Sequence, residues 1–253
     1  MSGTATTSPA ASSAHPIRLA VAVPLANEED IIEQFLGRVT AQLGPTDRVF
    51  CVLDGVCRDR TRERVTEYGR RDPRVVLVWA PENRCVVDAY FRGYREAVAS
   101  GAEWILEMDG GFSHEPEQIP QFIRAMEQGY EFAGGSRFVP GGTHTGSLRR
   151  WLISWGGTLL ANLLLGTRMR DMTSGFECFS RAALAKVLER GVNSRAHFFQ
   201  TEIRLMMHEV RWTELPIRYT NPSKSVGSSS LRDAFGTLWK LWRGGRRVRG
   251  DGK

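Results

Sequence analysis

Three acidic side chains of the sequence each lie just beyond an apolar run. Glu28, Asp54 and Asp109 occupy these places. A single acidic residue there would most simply begin a turn. If the runs are strands of a parallel sheet, their carboxyl ends share one edge, which is where open α/β sheets bind ligands. The pattern therefore favours a shared ligand site that contains these carboxylates, with Asp109 at its centre.

A second group of polar residues could bind an anion. The segment GGSRFVPGG at 134–142 places Arg137 among glycines, which suits a flexible loop that presents the guanidinium while the backbone approaches closely. A plain glycine-rich surface loop is the alternative. Arg150 and Ser154 lie four residues apart in the apolar stretch 148–165, so a helix there places both on one face.

These side chains need a sheet to position them. Apolar runs at 17–23, 48–53, 75–79 and 104–109 are each followed by a segment with helical spacing. This alternation is typical of a parallel sheet that is covered on both faces. We therefore predict an α/β fold, Rossmann-like, with a mostly parallel sheet and helices on both faces, and we expect Asn27 to cap the first helix.

Length and composition fit one main domain. The chain has 253 residues, 42% hydrophobic and 25% charged, which is enough to bury a sizeable core. Residues 1–15 are small and polar and lack the basic and apolar segments of a signal peptide. They are expected to form a disordered leader, followed by a domain at 16–230 and a tail at 231–253.

The sequence predicts a cytoplasmic protein. The longest strongly apolar run in the middle of the chain, 159–165, is far shorter than the roughly 20 residues that a membrane-spanning helix needs. The four cysteines contain no C-x-x-C pair, so we expect reduced thiols rather than disulfides or a zinc site.

The basic excess of the chain concentrates in the C-terminal tail. The formal net charge is +6, and residues 232–253 contain seven basic and two acidic side chains. Apolar residues at helical spacing between 231 and 242 predict an amphipathic helix, which could rest on the inner face of the membrane. Packing against its own domain or in a dimer is the equally weighted alternative. Nucleic-acid binding is not expected, because the tail contains no recognition module.

Seven sequence motifs occur in a familiar order between residues 17 and 231. They are VAVPLANEEDI, VLDGVCRDRT, MDGGFSHEPEQIP, GSRFVPGG, LRRWLISWGG, DMTSGFECF and ELPIRY. In this order they resemble the inverting family 2 glycosyltransferases, and within them the dolichyl- or polyprenyl-phosphate mannose synthases. The resemblance implies a GT-A type fold that binds a nucleotide sugar.

The resemblance also implies roles for individual residues. Asp109 matches the first acid of the family's D-x-D motif, where Mg²⁺ or Mn²⁺ bridges to the diphosphate of the donor. Arg137, Arg150 and Ser154 match positions that contact the phosphate of the acceptor. The remaining positions are expected to bind the nucleotide and its diphosphate: Pro24, Ala26, Glu28, Val52, Asp54, Gly110, Gly111 and Lys224.

Several positions depart from the family pattern at the donor site, among them Leu53, the segment 83–88 and Ser230, and two bear directly on the ligands. Ala26 stands where the family has an aromatic residue, and Gly111 stands where it has the second acid of D-x-D. A hard cation prefers charged oxygen ligands. The cation would therefore be held by Asp109, the diphosphate and water, with Glu107 or His114 assisting, or the enzyme would work without a metal.

The sequence supports one leading function and two alternatives. The leading function is transfer of a hexose, with mannose favoured, from a GDP- or UDP-sugar to polyprenyl phosphate at the cytoplasmic face of the membrane. The first alternative keeps the fold and glycosylates a soluble small molecule. The second is a nucleotide-sugar-binding protein without catalytic activity, which the changes at Ala26 and Gly111 motivate.

Overall fold

The computed structural model of the protein describes residues 16–220 and 228–244. Strands and helices alternate along most of this part of the chain. The strands are β1 (Leu19–Pro24), β2 (Arg48–Leu53), β3 (Val75–Trp79), β4 (Trp104–Glu107), β5 (Phe132–Ser136), β6 (Thr143–His144), β7 (Glu177–Ser180), β8 (Trp212–Pro216) and β9 (Arg218–Tyr219). The helices are α1 (Ile32–Thr40), α2 (Thr61–Arg71), α3 (Val86–Ala99), α4 (Ile119–Glu127), α5 (Leu148–Leu165), α6 (Arg181–Arg190), α7 (Phe199–Met206) and α8 (Ser228–Arg243).

Seven of these strands form one sheet in the order β3-β2-β1-β4-β7-β5-β8, and β6 pairs with β9 beside it. All neighbours in the large sheet are parallel except β7, which runs antiparallel to β4 and β5. Because of this reversal, β7 begins at the edge where the parallel strands end, and Glu177 pairs with Glu107. The loop that leads into β7 therefore lies beside Asp109.

The two faces of the sheet carry separate hydrophobic cores, as predicted. Along β1, Leu19, Val21 and Val23 pack into the core that α1 and α4 cover, whereas Ala20 and Ala22 face the core that contains α3, α6 and α7. Gly93 lets α3 approach closely, since a Cβ there would lie 3.1 Å from the Cβ of Ala22. Small residues at this contact hold α3 directly against β1.

Most element positions follow the sequence prediction, with one wrong detail at the first helix. Asn27 does not cap α1, which begins at Ile32 and has no side-chain cap. Instead Asn27 adopts a left-handed backbone conformation with a φ of 57°, and its Oδ1 accepts the Arg58 N–H at 2.7 Å. The residue fastens the loop after β1 to the loop after β2. Strands β7 and β8 were not predicted, because both are short and contain glutamates.

Some expectations fall beyond what the structure describes. The leader at 1–15 and Lys224 lie outside the described residues. The four cysteines are free thiols, as expected. None of the helices in 16–220 and 228–244 combines the length and the hydropathy needed to cross a bilayer.

Candidate active site

The loops after β1 and β2 interlock at the carboxyl edge of the sheet. The backbone N–H of Glu28 donates to Thr61 Oγ1 at 2.7 Å, and that of Glu29 donates to Asp59 Oδ2 at 3.0 Å. Burial raises the pKa of Glu28, and the neighbouring carboxylates of Asp59 and Asp109 raise this pKa further. The carboxylates of Glu28, Asp59 and Asp109, from three different loops, are therefore close enough to interact electrostatically, whereas the sequence had named Asp54 rather than Asp59 for the loop after β2.

Asp109 is held by two contacts immediately after β4. The hydroxyl of Tyr90, from α3, donates to Asp109 Oδ1 at 2.5 Å. The backbone N–H of Asp109 donates to Nδ1 of His114 at 3.2 Å. The next residue, Gly110, has no room for a side chain, because a Cβ would lie 2.1 Å from Leu25 Cδ2. The Asp109 carboxylate is therefore oriented by its surroundings.

Gly111, at the second position of the acidic motif, lies next to the carboxylate of Glu28. A Cβ on Gly111 would lie 3.5 Å from Glu28 Oε1, so an acid at this position would meet Glu28. Glu107 cannot assist a cation, since it is fully buried and accepts hydrogen bonds from Tyr94 on one oxygen and from Gln200 on the other.

The described residues do not supply a ligand set for a divalent cation. In 16–220 and 228–244, no group of three or more histidine, cysteine, aspartate or glutamate side chains is arranged so that it could hold a metal ion. Nδ1 of His114 already accepts a hydrogen bond, and one oxygen of Asp109 is engaged by Tyr90. Hard cations require several charged oxygens. Asp109 alone does not meet that requirement.

Arg137 lies in a rigid, charge-compensated setting rather than in a flexible loop. Its guanidinium donates to both oxygens of Asp171, at 2.7 and 2.8 Å, to Thr173 Oγ1 at 2.5 Å and to Ser154 Oγ at 3.4 Å. Burial opposes the ionisation of Asp171, but the guanidinium of Arg137 outweighs it and holds the pKa of Asp171 well below its usual range. The pair fixes the guanidinium in place.

A cavity of about 200 Å³ joins these groups. Asp109 lies on its wall together with Arg137, Arg150 and Ser154, so the structure brings the four predicted catalytic residues together. Three histidines also line it, His114, His144 and His197. The charged side chains of the lining are Asp109, Arg137 and Arg150; Asp171 compensates the charge of Arg137, and guanidinium N–H groups are suitable donors for an anionic ligand.

The described residues that were expected to bind the nucleotide, Asp109 apart, do not belong to the lining of this cavity. Asp54 is partly exposed, and its Oδ1 accepts the N–H of Val56 at 2.9 Å. Pro24 is half-buried and Ala26 is exposed. Val52 is only 1% exposed and packs against α3 near Gly93, so its side chain belongs to the core.

A buried polar cluster beneath the cavity was not anticipated from the sequence. Arg204 of α7 is fully buried and donates to Glu177 Oε1 at 2.5 Å, to the carbonyl of Gly135 at 2.9 Å and to that of Asp171. Gly134 makes room for it, because a Cβ there would lie 2.9 Å from Arg204 Nη1. Two features of the sequence could have indicated this cluster: the glycine pair before Arg137 and the single arginine in a mostly apolar helix.

Two glutamates of this cluster, Glu107 and Glu177, are paired on the neighbouring strands β4 and β7. Burial raises the pKa of Glu107 well above its usual range, and the charge of Glu177 adds to this. Burial also raises the pKa of Glu177 to about 7, although Arg204 opposes the change. The Arg204 guanidinium bonds Glu177, whereas Glu107 accepts from the neutral donors of Tyr94 and Gln200, so burial favours the protonated form of Glu107.

Comparison with known proteins places this geometry in context. Residues 20–188 match the family model described as glycosyl transferase family 2. Similar proteins include the polyprenol monophosphomannose synthase of Mycolicibacterium smegmatis, 29% identical, with 92% of this chain and 89% of that protein covered. The undecaprenyl-phosphate mannosyltransferase of Micrococcus luteus is 27% identical, with 85% and 88% covered.

The fold has solved counterparts at low sequence identity. Glucosyl-3-phosphoglycerate synthase from Mycobacterium tuberculosis, crystallised with Mn²⁺, uridine diphosphate and glucosyl-3-phosphoglycerate, superposes with a TM-score of 0.66. The alignment covers 94% of this chain and 83% of that one at 16% identity. The GT-A type, Rossmann-like fold expected from the sequence is thereby confirmed.

Proposed function

Because the chain belongs to glycosyl transferase family 2, we propose that it transfers a hexose from a nucleotide sugar to polyprenyl phosphate. Mannose is the first candidate for the hexose, since both similar proteins named above are mannose transferases. A GDP- or UDP-sugar is the expected donor. The uridine diphosphate in the solved counterpart is a ligand of that protein. The nucleobase of the donor used by this protein has to be determined by experiment.

The cavity between Asp109 and the basic residues carries this proposal. Asp109 follows β4 at the edge where Glu28 and Asp54 also lie, which suits the donor nucleotide and its diphosphate. Arg150 and Ser154 project from α5 on the other side of the cavity, beside Arg137. Guanidinium and hydroxyl donors suit the phosphate of an acceptor.

The proposed chemistry is a direct displacement. A phosphate oxygen of the acceptor attacks the anomeric carbon of the hexose, the bond from that carbon to the diphosphate oxygen breaks, and the configuration inverts. A phosphate monoester is anionic near neutral pH, so it needs positioning more than a strong base. Arg137, fixed by Asp171, is a positioning donor for that phosphate, and Arg150 adds charge.

No step is assigned to a metal ion. Mg²⁺ or Mn²⁺ remains a candidate for neutralising the diphosphate, because the solved counterpart contains Mn²⁺. Among the described residues, however, no group of three or more candidate ligand side chains is arranged to hold a metal ion. The dependence of transfer on added Mg²⁺ or Mn²⁺ and on a chelator decides whether the diphosphate charge is met by a cation.

Membrane contact is part of the proposal, and two packed helices support it. Five apolar side chains of α5 are 44–76% exposed: Leu148, Leu152, Trp155, Leu159 and Leu163. In α8, which packs on α5, Phe235 is 61% and Trp239 54% exposed. We call these seven side chains the α5–α8 apolar surface. It suits the membrane face at which a polyprenyl substrate resides, and the predicted site of action is the cytoplasmic side.

The test offers purified protein a panel of GDP- and UDP-sugars with and without polyprenyl phosphate. We expect transfer to the lipid phosphate from one donor. Arg150→Ala should raise the KM for the lipid at least about 10-fold with a smaller effect on the donor KM, because a charge-assisted hydrogen bond to phosphate is lost.

The neighbouring arginine provides a matched control for this test. Arg149 is exposed and does not line the cavity, so Arg149→Ala should leave both KM values unchanged. If the hexose is transferred only to a soluble acceptor, the acceptor in the proposed function is a small molecule and not polyprenyl phosphate. Donor binding without turnover under all conditions would instead identify a nucleotide-sugar-binding protein.

A further inference from the structure

His114 has an orientation and a protonation form that the surrounding structure fixes. Its Nδ1 faces the backbone N–H of Asp109 at 3.2 Å. A backbone N–H can only donate, so Nδ1 must be the unprotonated nitrogen and the proton of the neutral ring lies on Nε2. The ring stacks on Phe176 with centroids 4.8 Å apart and contacts Tyr219 at 5.6 Å. These contacts and the hydrogen bond from Asp109 favour the observed ring orientation.

The Nε2–H of His114 is a buried donor without an acceptor in the described part of the protein. The side chain is fully buried, and Nε2 has no hydrogen-bond partner among the described residues. Buried donors are nearly always satisfied, because leaving one unpaired is unfavourable. Burial and the nearby charge of Arg137 also lower the pKa of His114. The lowered pKa favours the neutral ring, in which only one nitrogen carries a proton.

The location of His114 indicates what should satisfy it. The residue lines the cavity between Asp109, on the proposed donor side, and Arg137, on the proposed acceptor side. We propose that His114 is a substrate-binding residue whose Nε2–H donates to a ligand oxygen at this junction. The inference rests on the proposed function. The shared chemistry is an oxygen acceptor, supplied either by a hydroxyl of the hexose or by the phosphate of the lipid.

Two substitutions separate ligand binding from a structural role. Asparagine places an amide oxygen near the position of Nδ1, so His114→Asn keeps the acceptor for the Asp109 N–H and loses the donor. Glutamine places an amide nitrogen near the position of Nε2, so His114→Gln keeps the donor and loses the acceptor. Binding to substrate predicts that Gln retains more ligand affinity than Asn. A role confined to holding the Asp109 loop predicts the opposite order.

The experiment measures affinity for GDP, UDP, GDP-mannose, UDP-glucose and undecaprenyl phosphate, together with the melting temperature of each variant. A hexose contact predicts that His114→Asn weakens nucleotide-sugar binding about 10-fold or more and leaves the bare nucleoside diphosphate unchanged. A lipid-phosphate contact predicts the same loss for undecaprenyl phosphate instead. His208→Asn is the matched control, since both nitrogens of His208 are already hydrogen-bonded outside the cavity.

Other results would overturn the proposal. Wild-type affinity of His114→Asn for every ligand, or the order Asn above Gln, would leave His114 a structural residue whose donor is met by water. If the variants fail to fold, the ¹⁵N shift of Nε2 in the wild-type protein gives the answer, because ligand capture must move it. A wild-type protein that binds no nucleotide sugar and no lipid phosphate would refute the proposed function itself. This outcome differs from those that refute only the role of His114, in which the wild-type protein binds its ligands.

Discussion

Asp109 depends on Tyr90 for its orientation, and this single hydrogen bond makes a prediction at the scale of one residue. The Tyr90 hydroxyl reaches Asp109 Oδ1 at 2.5 Å from the neighbouring helix α3. Tyr90→Phe removes the donor and frees the carboxylate to rotate. We expect the donor KM to rise about 10-fold. The free energy of unfolding should fall by about 1 kcal/mol, the usual contribution of one hydrogen bond.

Tyr94 provides the control for this prediction, one turn later in the same helix. Its hydroxyl donates to Glu107, which is fully buried under the cavity. Tyr94→Phe leaves a buried carboxyl oxygen without its donor, so it should lower the melting temperature more than Tyr90→Phe does and leave the donor KM unchanged. Steady-state kinetics and thermal melts of the two variants test this. Equal effects on the donor KM would show that Tyr90 does not act through Asp109.

Strands β4 and β7 determine how stability responds to pH, because they pair Glu107 with Glu177. The pKa of both carboxyl groups is raised in the folded protein, that of Glu177 to about 7. The folded state therefore binds more protons than the unfolded state above the ordinary glutamate pKa. This contribution to stability is present at low pH and is lost as the pH rises through the folded pKa.

The window between pH 6.5 and 8 contains the titration of Glu177, and toward its upper end burial of the Cys51 and Cys178 thiols, which raises the pKa of both, acts in the same direction. The pKa values of His114 and His208 are lowered by burial, so these histidines stabilise the fold as the pH rises, but only up to their unfolded pKa of about 6.5. Above it, we expect the free energy of unfolding to fall by on the order of 1 kcal/mol per pH unit at the steepest point. Thermal melts at several pH values measure the slope.

Glu107→Gln identifies the source of that slope. The substitution keeps a polar side chain next to Tyr94 and removes one of the two titrating groups. We expect a flatter pH dependence of the melting temperature than in the wild type, whatever the absolute stability of the variant. An unchanged slope between pH 6.5 and 8 would place its origin elsewhere.

At the scale of the whole molecule, the tail helix packs against its own domain, one of the two interpretations that its sequence left open, and its contact with a membrane stays a proposal. Leu238 and Leu241 of α8 are 4% and 3% exposed and pack into the main core. Ser194 donates a hydrogen bond to Asp233, which fastens the helix to the loop before α7. Phe235 and Trp239 of α8 remain exposed, and α8 packs on α5, which also carries exposed apolar side chains. The α5–α8 apolar surface is therefore built by the domain and the tail together.

A charge placed on this surface should weaken membrane binding without affecting the site. We expect Leu152→Glu and Trp239→Glu each to reduce co-sedimentation with anionic vesicles several-fold. In each variant an apolar side chain that would contact the lipid is replaced by a negative charge that the anionic lipid surface repels. Val56→Glu adds the same charge to another exposed apolar residue, 61% exposed, outside α5 and α8. Equal loss of vesicle binding in that variant would show that net charge, not this surface, governs the association.

The sequence by itself determined the elements whose signal is local. The apolar runs that became β2 and β3 and the long apolar helix α5 have the predicted bounds, since periodicity and length identify them without knowledge of the rest of the chain. The order of acidic strand ends also predicted that Glu28 and Asp109 would meet. The resemblance to family 2 glycosyltransferases rested on the same local motifs.

Only the tertiary structure decided the contacts that hold the site. Asp171 meets Arg137 across 34 residues, Tyr90 meets Asp109 across 19, and Arg204 meets Glu177 across 27. Such partners become identifiable only once the strand order is fixed, and the antiparallel insertion of β7 between β4 and β5 sets that order here. The antiparallel pairing brings Glu177 opposite Glu107 and carries Asp171 to the cavity. A buried ion pair leaves no periodic signal in sequence, because its members lie on different elements.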